Sequence, residues 1–391
     1  MVCWAGHVGA AQILVPADYS TIQAAIDAAA DGDVIIVSPG RYIENINFLG
    51  KGITLQSTNP EDKGIVAATI IDGNQAGSCV TIANARECAL LGVTLTNGST
   101  DDYGGGVCCY GTPARIANNL ITGNSARIGG GGLAALWRGE VLVQGNTISG
   151  NSCTLGCGGG IYLHDLEHAH VRTNTITANT SYLGAGIYAY AQAQIIGNLI
   201  ADNTGIDLGP GSPSMGAGIF DDAVVEVVAG NLLLGNSSPV GGGFCAIFAL
   251  NLTMVDNLIS GTAGIPSAPC TYAHDAEQVV VAGNSIIDND AAGVWIEEGY
   301  PAALVNNTIA GNGGTAVLAG PSTAVIGNTV AYNRGGVRLR HGNLLANDLI
   351  VGNSTENDGA AVLLDQGSPF SQFRGLLAGR HEGADGGGEP R

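Results

Sequence analysis

Residues 158–179 read GGGIYLHDLEHAHVRTNTITAN, and residues 184–203 repeat the same plan as GAGIYAYAQAQIIGNLIADN. Each stretch starts with small residues, continues with apolar residues at alternate positions, and ends on two Asn residues that flank a short apolar run. Alternation with a period of two is typical of a β-strand with one buried side. Because the whole unit recurs along the chain, the sequence predicts stacked coils around one core instead of separate globular domains.

The Asn residues mark one fixed corner of every coil. The motif N-[TLS]-[IVL]-x-x-N recurs at intervals of 20 to 33 residues, so the other corners carry the insertions. Asn tolerates the left-handed backbone of a tight corner, and its amide can bond the Asn of the next coil. We therefore predict an amide ladder; a glycan acceptor at Asn179 is the weaker interpretation, because turns produce such sequons by chance. The ladder positions are Asn119, Asn146, Asn174, Asn198, Asn231, Asn257, Asn284, Asn307, Asn328 and Asp348.

A helix is predicted ahead of the first coil. Ser20 and Gln23 have the spacing of a capping box, the apolar residues of 22–29 fall on one face, and Gly32 is placed to end the helix. A β-prone run, residues 34–37, follows. A helix laid across the first coil would shield the end of the core from water and from edge-to-edge aggregation.

The segment TIQAAIDAAADGDVIIVSPGRYIENI (residues 21–46) resembles the opening of proteins in the pectin lyase-like superfamily. The coil repeats resemble those of periplasmic copper-site maturation proteins, pectate lyases and alginate epimerases. This resemblance covers residues 12–366. It implies an all-β fold, a right-handed parallel β-helix solenoid with three strands per coil and a short N-terminal capping α-helix.

The expected organisation has four parts. Residues 1–12 are interpreted as a signal-peptide remnant, and residues 13–60 as the cap helix with the first coil. Residues 61–366 are expected to form the β-helix coils, and residues 367–391 a short cap with a disordered, Gly-rich tail.

Composition limits the classes of partner. The net charge is −19 and the two lysines are Lys51 and Lys63, so we expect no nucleic-acid partner, because such a surface repels phosphate. No apolar run approaches the roughly 18 residues of a spanning helix, and we expect no membrane-spanning segment. An anionic polysaccharide would have to be bridged by Ca²⁺, the one candidate cofactor, or received by a local Arg patch.

Cysteine spacing leaves two disulfides open. Nine cysteines is an odd number, so at least one is unpaired or pairs between chains. Cys153 with Cys157, and Cys79 with Cys88, are near enough in sequence to form bridges. No C-x-x-C motif occurs, which argues against a zinc site.

One strand of each coil carries outward residues that differ from a generic surface. Coils stack about 4.8 Å apart, so His274 and Glu297, one coil apart, are expected within reach of a hydrogen bond or ion pair. His164 lies four coils from His274, about 19 Å away, and cannot share a reaction centre with it. An upper cluster contains Tyr272, His274, Asp275, Trp295, Glu297 and Glu298, and a lower cluster contains His164, Asp165, Tyr188, Tyr190, Asp221 and Asp222.

Roles follow from residue type. Acid–base chemistry needs two groups with separated pKa values near one bond, and the predicted catalytic residues are His274, Glu297, Asp275 and Asp222. Flat rings stack on the apolar faces of sugars, and carboxylates accept hydrogen bonds from hydroxyl groups. The predicted substrate-binding residues are Tyr162, His164, Asp165, Tyr188, Tyr190, Asp221, Tyr272, Trp295, Glu298 and Arg340.

These residues and the resemblance together favour a secreted or envelope-exposed protein that binds polysaccharide and acts on it as a lyase, hydrolase or epimerase. The signatures are incomplete. Asp221-Asp222 resembles the paired aspartates of polygalacturonases without their preceding Asn-Thr-Asp motif, and the Asp-Pro-His of alginate epimerases is absent. Two alternatives stay open: a non-catalytic surface or adhesion solenoid, and a periplasmic accessory protein in which His164 and His274 contact a metal.

Overall fold

A computed structural model describes residues 10–209, 211–222, 224–297, 301–340, 342–354, 362–364, 372–374 and 377–379. The strands form three long parallel sheets, which we call A, B and C, and each coil contributes one strand to each. The prediction of three strands per coil is confirmed. A short fourth sheet, D, lies between sheets B and C in five coils and was not predicted.

The strands of each sheet are given in their order of pairing. Sheet A contains Gln12–Val15, Val34–Val37, Thr54–Ser57, Cys88–Leu91, Ala114–Ala117, Glu140–Gln144, His168–Arg172, Ala193–Ile196, Val225–Ala229, Thr253–Val255, Val280–Ala282, Ala302–Val305, Thr323–Ile326, Leu344–Ala346 and Gln372–Arg374. Sheet B contains Gly40–Ile43, Thr69–Asp72, Thr94–Thr96, Leu120–Thr122, Thr147–Ser149, Thr175–Thr177, Leu199–Ala201, Leu232–Leu234, Leu258–Ser260, Ser285–Ile287, Thr308–Ala310, Thr329–Ala331, Leu349–Val351 and Leu377–Gly379. Sheet C contains Ile46–Asn47, Val80–Ala83, Val107–Tyr110, Leu133–Leu136, Ile161–His164, Ile187–Tyr190, Ile219–Asp222, Phe244–Ile247, Pro269–His274, Ala292–Glu297, Thr315–Ala319, Gly335–Leu339 and Val362–Leu364. Sheet D contains Ser99–Thr100, Ser125–Ala126, Ser152–Cys153, Thr180–Ser181 and Thr204–Gly205.

One apolar core runs through the coils. Ile161, Ile187 and Ile219 are fully buried and pair in register along sheet C, as the alternation predicts. The core is continuous from Val15 to Ile350, so each coil buries its apolar side against the coils above and below.

The N-terminal end of this core is closed by helix α1, Ile22–Ala28, which places Ile22 and Ile26 against the first coil. The predicted cap residue was wrong. Thr21 is the N-cap, and its hydroxyl accepts from the backbone N–H of Ala24 at 3.2 Å. The expected Ser20–Gln23 capping box does not form, because the Glu44 carboxylate from the first coil accepts from the free N–H groups of residues 22 and 23.

A second helix, α2, Lys63–Ala68, was not predicted. It lies between the sheet A strand Thr54–Ser57 and the sheet B strand Thr69–Asp72. Asp62 caps it by accepting from the backbone N–H groups of Gly64 and Ile65. No helix in the described part of the chain is long and apolar enough to span a bilayer.

The predicted amide ladder is confirmed. The Nδ2 of each ladder Asn donates to the Oδ1 of the next, from Asn119 to Asn328, which donates to Asp348. Each Nδ2 also donates to a backbone carbonyl of the preceding coil, such as Val171 O for Asn198. The left-handed backbone lies one residue earlier than expected, as at Asn118 and Asn306, because the ladder Asn itself must point its amide into the corner.

The last Asn of the motif forms a second ladder that was not predicted. It joins Asn124, Asn151, Asn179, Asn203 and Asn236, and resumes from Asn289 to Asn353. Thr262 stands in the gap, and its hydroxyl donates to Asn289 Oδ1 at 2.7 Å. Asn179 is fully buried in this ladder, so the glycan-acceptor interpretation is wrong.

Three further expectations need correction or lie beyond the described residues. Strand pairing continues to residue 379, past the predicted end of the coils at residue 366. All eight described cysteines are free thiols, so neither predicted disulfide forms. Residues 1–9, within the interpreted signal remnant, and residues 380–391, within the expected tail, lie outside the described part of the chain.

The ladder gives a stability prediction. We expect Asn307→Ala to lower the free energy of unfolding by about 3 kcal/mol or more, because Val281 O and the backbone N–H of Asn284 would lose the partners that Asn307 supplies. Asn306→Gly is the matched control: Asn306 is exposed, has a φ of 55°, and neighbouring coils carry Gly at the same corner. We expect a change within about 0.5 kcal/mol for the control. Urea unfolding measures both, and equal losses would contradict the ladder's role.

Candidate functional site

The outward side chains of sheet C form two columns. The first column contains Cys108, Ala134, Tyr162, Tyr188, Phe220, Cys245, Tyr272, Trp295, Leu318 and Arg338. The second column, two residues further along each strand, contains Tyr110, Leu136, His164, Tyr190, Asp222, Ile247, His274, Glu297, Gly320 and Arg340. The predicted register of the site residues therefore holds.

The first column is largely covered. The segments that lead into sheet C pair with one another through single residues, among them Tyr103, Cys157, Leu183 and Met215, and these side chains pack on the first column. Gly158 permits this return of the chain, since its φ is +68° and a Cβ there would lie 2.4 Å from Ile161 O. The loop residues and the first column make a second apolar core outside the coils.

Within this second core the rings stack on one another. The centroid of Tyr162 lies 5.5 Å from that of Tyr103 and 5.0 Å from that of Tyr188, and Tyr188 lies 5.7 Å from Phe220. Tyr162 and Tyr188 are both buried. Their ring faces are taken by neighbouring rings, so the expectation that these two faces stack on sugars is wrong.

The upper cluster is built around Glu297. Tyr272 Oη donates to Glu297 Oε2 at 3.0 Å, and His274 Nδ1 lies 4.0 Å from the same oxygen. The other ring nitrogen, His274 Nε2, lies 3.4 Å from Asp275 Oδ2. The imidazole thus lies between two carboxylates, and the expected proximity of His274 and Glu297 is found.

Arg340 also reaches Glu297. Its Nη2 lies 3.6 Å from Glu297 Oε1, although one coil separates the two strands. The intervening residue of the second column is Gly320, which leaves the guanidinium a free path. Because glycine has no side chain, the intervening coil does not obstruct the contact between Arg340 and Glu297.

The lower cluster has a similar diagonal bond. Tyr188 Oη donates to Asp222 Oδ2 at 2.6 Å, and burial followed by this hydrogen bond raises the pKa of Tyr188 above its ordinary value. The rings of His164 and Tyr190 lie 4.9 Å apart and tilted. Asp165 lies at the turn after its strand with a φ of 55°. Ile247 separates this cluster from His274 along the second column.

Asp221 does not belong to the surface. It is fully buried in the coil interior, where its Oδ1 accepts from the backbone N–H groups of residues 224 and 225, so its prediction as a substrate-binding residue is wrong. Strand alternation turns it inward between Phe220 and Asp222. Burial raises the pKa of Asp221 to about 7.

Two exposed aromatic residues were missed. Trp137 and Phe248 follow their strands of sheet C directly, next to the second column, and their side chains are 53% and 55% exposed. Both have a φ near +56°, a conformation that costs a bulky residue about 1–2 kcal/mol. Gly111 and Asp165 hold the same turn position in other coils. Only the register of the turns, which depends on the tertiary structure, identifies this pair.

Three further chemical points concern Glu298, a possible metal site and the cysteine thiols. Glu298 lies outside them, so its predicted role stays a prediction. Among the described residues, no group of three or more His, Cys, Asp or Glu side chains is placed to hold a metal ion. Burial raises the pKa of the thiols, to about 12 for Cys157, which makes them unreactive.

Comparison with known proteins identifies the family. The family model described as "Right handed beta helix region" matches residues 52–227 and 215–330. The chain is a right-handed β-helix protein. This supports the expected membership of the pectin lyase-like superfamily and supplies the handedness of the coil. No curated protein sequence matches the chain.

Solved structures similar to this β-helix protein include an epimerase module, a polysaccharide lyase and a tailspike domain. A module of a mannuronan C-5 epimerase from Azotobacter vinelandii has 16% identity and a TM-score of 0.48, covering 92% of this chain and 95% of that one. A mannuronic acid-specific polysaccharide family 6 lyase from human gut microbiota has 12% identity and a TM-score of 0.44, covering 89% and 82%. The receptor-binding domain of the siphovirus 9NA tailspike has 13% identity and a TM-score of 0.40, covering 96% and 78%. All three TM-scores are below 0.5.

The buried acid gives a pH prediction. The pKa of Asp221 rises from 3.8 to about 7 on folding, so the folded state binds more protons between these values and stability falls as pH increases through that window. We expect Asp221→Asn to be more stable than the wild type at pH 8 and to lose less stability between pH 4 and pH 7. Thermal melts across this range measure the effect. Asp165→Asn, an exposed acid, serves as control and should leave the pH profile unchanged.

Proposed function

We propose that this β-helix protein binds a polysaccharide along the second column of sheet C and that the upper cluster carries out acid–base chemistry on the bound chain. The observation that carries the proposal is the convergence of Tyr272, His274 and Arg340 on one carboxylate, Glu297. All of these groups are partly exposed on one face, where a bound chain can reach them.

The pairing suits proton transfer. A base and an acid must lie within reach of the same bond, and His274 has a carboxylate at each ring nitrogen, Glu297 at 4.0 Å and Asp275 at 3.4 Å. The imidazole is thus flanked by two groups with which it can exchange a proton. The Tyr272 hydroxyl, 3.0 Å from Glu297, is a second proton carrier.

The arginine residues near the upper cluster favour an acidic sugar at this end of the second column. The chain carries a net charge of −19, which repels anionic polymers in general. Arg338 and Arg340 are in the first and second columns of the coil that follows Gly320, and the Arg340 guanidinium reaches Glu297. We propose that they receive the carboxylate of a uronate, and that the protein acts outside the cell or in the envelope, where such polymers occur.

A non-catalytic solenoid is the second candidate. The stacked rings of Tyr103, Tyr162, Tyr188 and Phe220 favour it, because they stabilise neighbouring coils without exposing a ring face. In that case the protein would bind a polysaccharide without changing it. Product analysis separates the two candidates.

The test uses the Glu297 carboxylate. We expect Glu297→Gln to slow product formation at least about 100-fold, because a general acid–base group contributes roughly that factor or more. The probes are mannuronan, polygalacturonate and a neutral β-glucan. Ultraviolet absorbance detects unsaturated ends, reducing-end assays detect hydrolysis, and incorporation of solvent deuterium detects epimerisation.

The matched control is Glu277→Gln. Glu277 is exposed on the turn after the same strand as His274, so its substitution changes the charge equally without touching the cluster. It should keep wild-type rates. Product formation by Glu297→Gln at the wild-type rate would remove the upper cluster from the reaction, and binding without any product would favour the non-catalytic solenoid.

A further inference from the structure

Exposed aromatic residues recur on every second coil, either in the second column or one residue after it. Trp137 follows the strand Leu133–Leu136, Tyr190 ends the strand Ile187–Tyr190, and Phe248 follows the strand Phe244–Ile247. One strand of sheet C lies between each successive pair. With coils about 4.8 Å apart, the rings are spaced about 10 Å along the axis, and the row spans about 19 Å.

These three side chains are open to solvent, unlike the rings of the first column. Trp137 and Phe248 are more than half exposed, and Tyr190 is 38% exposed. None of the three belongs to the cluster of loop residues and first-column rings that covers Tyr162 and Tyr188. The surface along the second column is therefore partly apolar and aromatic.

The fold does not require these residues. Trp137 and Phe248 hold a left-handed turn position that Gly111 fills without strain in another coil. Neither is part of the coil core. Trp137 has one aromatic contact, with Tyr110 at 5.2 Å, which forms a two-ring shelf at the N-terminal end of the row. A costly backbone conformation that exposes an apolar ring points to a ligand.

We propose that Trp137, Tyr190 and Phe248 form a binding track for an extended, two-fold 1,4-linked polysaccharide, in which each ring stacks on every second sugar. An extended chain of this linkage presents the same ring face at every second unit, and that repeat is close to the spacing of the rings. Two coils beyond Phe248, sheet C carries Trp295 in the first column and Glu297 in the second, so a long chain that continues along the sheet reaches the upper cluster.

This inference rests on the proposed polysaccharide binding and adds the shape of the polymer. It implies that affinity increases with chain length in steps of two sugars, and that short oligosaccharides bind weakly. It also implies that a β-1,3-linked glucan, whose chain curves and lacks the two-fold repeat, binds weakly.

The experiment measures binding by isothermal titration calorimetry in the wild type and in Glu297→Gln, which separates binding from turnover. The probes are mannuronan oligomers and cello-oligosaccharides of increasing length, with laminarin as the β-1,3-linked comparison. The variants are Trp137→Gly, Tyr190→Ala and Phe248→Gly. Gly suits the left-handed turn, so the two turn variants should melt at or above the wild-type temperature.

We expect each substitution to weaken binding of the longest oligomers about 3- to 10-fold and to leave dimers almost unaffected. Tyr332→Gly is the matched control, because Tyr332 is 66% exposed with a φ of 56° at the corner after sheet B, away from the track. It should bind every probe like the wild type.

Three results would overturn the track. Wild-type affinity of all three variants for long oligomers would do so while leaving polysaccharide binding intact. A wild type that self-associates in sedimentation experiments, with the variants monomeric, would assign the rings to an interface between copies instead. A wild type that binds none of the probes would overturn both the track and the proposed function.

Discussion

The buried Asn side chain at the corner of each coil is the interaction on which the rest of the structure depends. Its amide is removed from water, so both its oxygen and its nitrogen must find partners, and the coils on either side supply them. These bonds form only when consecutive corners are in register. Coils of very different length are therefore stacked with the same corner aligned, and the strands that leave the corner are aligned with it.

This alignment turns the spacing along the sequence into columns on the surface. Residues as far apart as Tyr272 and Glu297 come within 3.0 Å because their strands pair in fixed register. Insertions are confined to the other corners. Those before sheet C fold back over the first column, while the second column stays open. The second column is therefore exposed because the insertions occur at the corner before sheet C and not at the corner after it.

The register of the stacked coils also determines which charged side chains become neighbours. The chain has a net charge of −19 and few basic residues, yet Arg340 lies close to Glu297 in the second column. Gly320 is as important as the arginine, because a side chain there would block the path across one coil. The aromatic row and the charged cluster occupy the same side of one sheet, so a linear polymer can contact both.

The coil architecture could be predicted from the sequence alone, because hydrophobic alternation and a repeated Asn corner are local patterns, and coils that share them stack in one stable arrangement. The sequence also determined which strand carries the unusual side chains, and that His274 and Glu297 are neighbours. It could not show that Tyr162 and Tyr188 lie under loops, since that depends on which residues the insertions bring over the sheet. The exact start of the strand Ile219–Asp222, which turns Asp221 inward, is likewise set by pairing with the neighbouring coils. Nor could the sequence connect Trp137, Tyr190 and Phe248, which are separated by more than fifty residues at each step. Only the register of the stacked coils, set by buried hydrogen bonds between them, decides that these three rings share one edge.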